Sequence, residues 1–212
     1  MDPVYTISII PTGMGAAGYT MPLPDNDEMF NTKNKMLEDI TTLLGGRVAE
    51  EIIFGDITTG ASNDIKRATE TARSMVMKYG MSEKIGLIAY GNDDDEVFIG
   101  RDLAHTRGYS EEVAREIDGE ISRIIRECHE NAESIIRENI GVLHSCAALL
   151  LEKEKIHREE FEALFTTEKE EVAKNKTNKM HKKKILNFCE LCAHFLVDTW
   201  YYKYRKNPQY II

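Results

Sequence analysis

Hydrophobic positions change period several times along the chain, and each change marks an element. Residues 4–10, Val-Tyr-Thr-Ile-Ser-Ile-Ile, alternate and are rich in β-branched side chains, which predicts a strand ended by Pro11. After a glycine-rich turn, Tyr19-Thr20-Met21 forms a short extended piece punctuated by Pro22 and Pro24, the mark of an edge strand with one side unpaired. Helical spacing then takes over. Met36, Ile40, Leu43, Leu44 and Val48 predict a helix from an N-cap at Thr32 to Phe54, with Gly55 ending it. A second helix runs from about Ser62 to Tyr79 and stops at Gly80, its buried face made by Ile65, Ala68, Ala72, Met75, Val76 and Tyr79. Ile85–Tyr90 and Val97–Ile99 suggest short strands around the acidic turn Asn92-Asp93-Asp94-Asp95.

Residues 110–139 carry an apolar stripe from Ile117 to Ile136 and predict a long amphipathic helix, broken at Gly141. Val142–Glu152 follows as a second helix, and a third, short one begins at Ile156-His157-Arg158. These pieces make a C-terminal helical hairpin with local contacts. The predicted fold is mainly α, with a small β-sheet near the N-terminus.

Two features break the helical rules between 32 and 54. Gly45-Gly46 in mid-helix costs about 1 kcal/mol per residue relative to alanine and suggests close approach by another element. Glu50 falls on the apolar stripe, seven residues after Leu43, so its carboxylate is paired or functional. Arg47 and Arg73 are candidate partners for a buried salt bridge. Asp64 stands in the first turn of the following helix, behind Thr58-Thr59-Gly60-Ala61-Ser62-Asn63. Helix capping is one reading of it, but Ser62 and Asn63 can already cap. A metal-ligating carboxylate is the other. One carboxylate cannot hold a catalytic zinc, which takes three protein ligands plus water, and the first 104 residues contain no histidine. His129, His144 and His157 show no metal-binding spacing and read as surface or core residues.

Composition narrows the partners. The chain has 212 residues and a formal charge of −9, but the charge is uneven. Residues 167–212 carry ten Lys/Arg against five Asp/Glu, while 1–166 carry seventeen against thirty-one, a net of −14. An acidic body argues against nucleic acid as its partner. The sequence divides accordingly into a domain over 1–166 and a basic, aromatic tail over 167–212. Met1-Asp2-Pro3 lacks the start of a secretory signal, and Glu190 and Asp198 interrupt the apolar stretch 185–202, which argues against a membrane span. Cys128, Cys146, Cys189 and Cys192 show no secreted-scaffold spacing and are expected as free thiols.

Two motifs are set aside. Gly13-Met14-Gly15-Ala16-Ala17-Gly18 matches the dinucleotide fingerprint, but Pro22 and Pro24 forbid the helix that would face a pyrophosphate. Cys189-Glu190-Leu191-Cys192-Ala193-His194 resembles half a zinc knuckle, but a structural zinc needs four ligands, only His181 is available nearby, and coincidence is the better reading.

Leu44-Gly45-Gly46-Arg47-Val48-Ala49-Glu50-Glu51-Ile52-Ile53-Phe54-Gly55, followed in register by Thr58-Thr59-Gly60-Ala61-Ser62-Asn63-Asp64, resembles the peptidase domain of FtsH-type ATP-dependent zinc metalloproteases. Ser8-Ile9-Ile10-Pro11, Gly18-Tyr19-Thr20, Tyr79-Gly80-Met81-Ser82 and Val97-Phe98-Ile99-Gly100-Arg101-Asp102 extend the likeness over roughly residues 2–165. The resemblance implies a helical peptidase domain. It makes Asp64 a zinc ligand and Glu50 an outer support for the site, the other ligands being two histidines of an H-E-x-x-H helix whose glutamate is the general base. Gly18, Tyr19, Thr20 and Met21 become candidates for holding substrate as an added strand, although a capped hairpin edge fits their pattern equally.

In the family's order, the H-E-x-x-H helix, the ATPase and the membrane anchors precede the residues present here. The expectation is therefore an incomplete zinc site, no catalytic general base and ATP only through another domain. This chain on its own is expected to be soluble and inactive, with a hexameric, membrane-associated assembly on the cytoplasmic side belonging to the longer protein. Its substrates are expected to be unfolded or membrane proteins. The rival expectation is a non-catalytic oligomerisation or interaction module.

Overall fold

A computed structural model describes residues 3–10, 19–23, 30–90 and 109–172, with side chains described to residue 165. The elements run β1 (Val4–Ser8), β2 (Tyr19–Pro22), α1 (Lys33–Phe54), α2 (Ser62–Met77), α3 (Glu111–Glu138), α4 (Ile140–Lys153), β3 (Lys155–His157) and α5 (Arg158–Val172). The molecule is mainly α, with a small antiparallel sheet and a C-terminal helical hairpin.

β1 is the middle strand of the order β2-β1-β3, both pairings antiparallel. Ile7 faces Thr20 on one side and Ile156 on the other, and Ile7 and Ile156 are fully buried. β2 lies at the sheet edge, as its prolines suggest. β3 stands where the sequence pattern predicts the start of a helix. Glu154 turns the chain left-handed at φ 60, its carbonyl accepts the Ile9 N–H at 3.0 Å, and residues 155–157 are thereby laid along β1. Pairing with a distant strand overrides the local helical signal.

α1 begins and ends as its sequence predicts. Thr32 Oγ1 accepts the Lys35 N–H at 3.2 Å, and Gly55 closes the helix at φ 60 with its N–H on the Glu51 carbonyl. α3 likewise starts from Ser110, whose Oγ accepts the Val113 N–H. The break after α3 comes at Asn139 rather than Gly141, which lies inside α4. Asn139 folds its own Nδ2 back onto the Ile135 carbonyl, and the axis bends by 73° there. No single helix among the described residues is long and apolar enough to cross a membrane; only this bent pair passes by length and composition.

α1 and α3 pack together along their lengths and serve two cores. Their first halves join α2 around Ile40, Met75, Ala72 and Ile117. Their second halves meet the sheet, α4 and α5 around Ile7, Val48, Ile136, Leu143 and Phe161. Gly45 is buried within α1.

Residues 85–90 are not a strand. Gly80 and Gly86 both take positive φ, Leu87 is 95% exposed, and the Tyr90 N–H returns to the Met77 carbonyl at 2.8 Å. The segment folds back over the end of α2, so the Tyr90 N–H meets a helix carbonyl and the Gly86 N–H meets the Ser82 carbonyl of the turn, rather than a neighbouring strand. Ile65 and Tyr79, expected on the buried face of α2, are 37% and 50% exposed. Val97–Ile99 and the acidic turn before it lie outside the described residues.

Candidate functional site

The stripe that buries α1 carries Glu50 inward, to 1% exposure, near the end of the helix. Left-handed Gly55 then reverses the chain, so that the loop 55–61 passes back over the residue just buried. Thr58 meets Glu50 twice. Its N–H donates to Oε2 at 3.0 Å and its hydroxyl donates to Oε1 at 2.6 Å, so both carboxylate oxygens are used on one residue. Arg47, one turn earlier on α1, donates from Nη2 to the Thr58 carbonyl at 2.8 Å. Its Nε lies 4.0 Å from Glu50 Oε2, an ion pair but too far for a hydrogen bond, and that buried Nε has no hydrogen-bond partner among the described residues. Of the two arginines proposed as partners of Glu50, Arg47 is beside it; Arg73 Nη1 instead approaches Met77 Sδ at 3.9 Å.

The loop continues as a set of short local bonds. Thr58 Oγ1 accepts the Gly60 N–H at 3.2 Å, and the Thr59 carbonyl accepts the Ser62 N–H at 3.1 Å. Ala61 is the N-cap of α2 and supplies no side-chain cap. Ser62 and Asn63, expected to cap, are exposed at the helix start and do not. Asp64 therefore enters as the acidic residue of the first turn, 8% exposed, where the helix dipole favours its charge. Arg67 Nη1, one turn on, approaches Asp64 Oδ1 at 3.8 Å.

A catalytic zinc needs three protein ligands and an open position. Among the described residues no group of three or more His, Cys, Asp or Glu side chains is placed to hold a metal. Three histidines are among the described residues: His129 Nε2 lies 3.2 Å from Glu51 Oε2 between α3 and α1, His157 stacks edge-on with Tyr5, and His144 is exposed. Cys128 and Cys146 are free and buried, and burial pushes the Cys146 thiol up to about 12, leaving it protonated at neutral pH.

Of the strand candidates, Tyr19 and Thr20 are half-buried and Met21 is exposed, all on β2; Gly18 lies outside the described residues. Sequence reasoning missed a second buried acid. Glu120 on α3 is 5% exposed, accepts the Ser82 hydroxyl at 2.6 Å and pairs with Arg123 at 3.1 Å. Its signal was present in the spacing, since Glu120 falls between Ile117 and Ile124 on the apolar stripe.

The described helices thus bury one acid at the start of α2, behind a loop bonded to a second acid near the end of α1. Residues 1–164 match the family model described as Peptidase family M41. The chain belongs to that family. Similar proteins include the ATP-dependent zinc metalloprotease FtsH 1 of Thermoanaerobacter sp. (strain X514), 55% identical over 166 residues, covering 78% of this chain and 27% of the relative. FtsH of Caldicellulosiruptor bescii is 55% identical over 163 residues, covering 77% of this chain and 26% of its own. FtsH of Thermotoga maritima is 48% identical over 171 residues, covering 81% and 28%. The chain spans about a quarter of the length of these relatives.

Proposed function

We propose that this chain carries the later part of the zinc metalloendopeptidase domain of an ATP-dependent protease of the FtsH type, and that Asp64 is one ligand of its zinc. The carrying observation is the buried carboxylate of Asp64 in the first turn of α2, within a stretch that matches the peptidase family. The two remaining protein ligands and the general base come from an H-E-x-x-H segment, a motif that this sequence does not contain. Glu50 supports the site from outside the ligand set. The edge strand β2, with Gly18 before it, receives the substrate as an added strand.

In this reading ATP is used by another domain of the longer protein, which acts as a hexamer at the cytoplasmic side of a membrane on unfolded or membrane proteins. By itself the chain is inactive in this reading, because its sequence has no H-E-x-x-H motif to complete the ligand set and activate water. Joining the H-E-x-x-H segment of the Thermoanaerobacter relative ahead of Met1 tests this. The joined protein is expected to retain one zinc per chain and to cleave casein, and Asp64→Ala is expected to lower zinc affinity by at least about tenfold while leaving the helical circular dichroism unchanged. Zinc retained undiminished by the Asp64→Ala protein would refute the ligand assignment. Casein cleavage by the unextended chain would refute its incompleteness. A folded, extended protein that neither binds zinc nor cleaves would favour a non-catalytic interaction module instead.

A further inference from the structure

We propose that Thr58 and Arg47 are positioning residues for Asp64, acting through the loop 55–61, a role that rests on the reading of Asp64 as a metal ligand. Five residues lie between Thr58 and Asp64, and they include the N-cap of α2. Where α2 starts is therefore decided by where this loop is held. Ala61 contributes no side-chain cap, so the start of the helix draws no such restraint from its own cap residue.

The restraint comes from α1. Glu50 takes both the N–H and the hydroxyl of Thr58, and Arg47 takes the Thr58 carbonyl, so every polar group of one loop residue is bonded to a single helix face. Thr58 Oγ1 also accepts the Gly60 N–H, which carries the restraint two residues towards α2. Glu50 and Arg47 are themselves fixed: Glu50 is 1% exposed, and the Arg47–Glu50 pair lies one turn apart on the same helix. Thr58 is itself exposed, but its bonds to the buried Glu50 carboxylate are charge-assisted and hold more strongly than neutral ones. The role of Glu50 thus becomes specific. It fixes the ligand-bearing helix by gripping the loop ahead of it, and Thr58 is the residue gripped.

Amide hydrogen exchange on the full chain provides the direct test. Thr58→Val keeps the shape of the side chain and the N–H to Glu50 but removes the hydroxyl. It is expected to speed exchange at Gly60, Ser62 and Ile65 by about tenfold, with the amides of Leu143 and Phe161 in the other core unchanged. Thr58→Ser restores the hydroxyl and is expected to exchange like the parent.

In the chain extended by the H-E-x-x-H segment, Thr58→Val is expected to weaken zinc retention against a chelator by about tenfold, and Thr58→Ser to recover it. Unchanged exchange in the loop would overturn the proposal, and so would faster exchange throughout the molecule, which would mark a general loss of stability. Loosened loop amides with zinc retention intact would overturn it as well. If Asp64→Ala leaves zinc bound, the ligand assignment has failed and the positioning role falls with it, even where the exchange data show the loop held by Thr58.

Discussion

Glu120 shows how a single buried charge ties the end of one helix to the flank of another. Its carboxylate holds the Ser82 hydroxyl, and Ser82 Oγ in turn accepts the Ile85 N–H at 3.2 Å, so the turn after α2 is fastened to α3. The bonds from Arg123 hold the Glu120 carboxyl below the usual carboxylate range, opposed by burial and helped by Ser82. A depressed folded-state pKa means that this stability is complete above the unfolded-state pKa and disappears as pH falls through the lower, folded value. Glu120→Gln is expected to cost about 1–2 kcal/mol at pH 7, since Arg123 is partly exposed and screened. The difference from the parent should shrink as pH falls below about 4. Urea denaturation at pH 7 and pH 3.5 checks this, and an equal deficit at both would mean that charge is not what holds Ser82. Glu120 and Glu50 were equally legible as acids on an apolar stripe. Arg47 was legible as an ionic partner of Glu50, but the hydrogen-bonding partners Thr58 and Ser82 were not, because they are ordinary loop residues whose importance comes only from where the chain returns.

At the scale of elements, caps and glycines were readable and pairings were not. Thr32, Ser110 and Gly55 act as local chemistry dictates, because a cap involves residues within a turn of one another. β3 has only three residues, and its partner lies about 150 positions away, as in the bond from Thr6 Oγ1 to the Ile156 carbonyl at 3.0 Å. No window of sequence contains both. The apolar run 85–90 misled for the opposite reason, since its hydrophobicity suggests a strand while Gly80 and Gly86 bend it back on α2.

The junction of α4 and β3 offers a sharp test of the new strand. Glu154 is the only described non-glycine residue with positive φ, and its N–H and carbonyl are both bonded, to the Leu150 carbonyl and the Ile9 N–H. A side chain in that conformation costs about 1–2 kcal/mol, partly offset by the entropy that glycine loses on folding. Glu154→Gly is expected to stabilise the protein by about 0.5–1 kcal/mol, read as a raised denaturation midpoint with unchanged slope. A lowered midpoint would show that the Glu154 side chain supplies something more than a turn.

For the molecule as a whole, the sheet joins the chain's beginning to the far end of its helical region. β1 is flanked by β3, and the core beneath it is completed by Ile156, Phe161 and Phe165, the last two stacked edge-on at 5.4 Å between centroids. Phe161 is 1% exposed and Ile156 fully buried, so the later core cannot close without residues 155–165. The family match ends at residue 164, one position before Phe165. α5 itself is described as far as Val172, so a cut at 166 would sever a helix.

A chain ending at Val172 is therefore expected to melt within about 2 °C of the full chain, a shift that corresponds to well under 1 kcal/mol for a domain of this size. A chain ending at Glu154 loses Ile156, Phe161 and Phe165 together. Truncation of one buried phenylalanine alone costs about 3–5 kcal/mol, against a total stability of about 5–15 kcal/mol, so no cooperative transition should remain in the half of the molecule built on the sheet. Thermal denaturation of both truncations, followed by circular dichroism, separates the cases. A large fall in melting temperature on removing 173–212 would place part of the folded core in the tail, and a cooperative transition of full amplitude in the shorter chain would show that β3 and α5 are dispensable to the fold that carries Glu50 and Asp64.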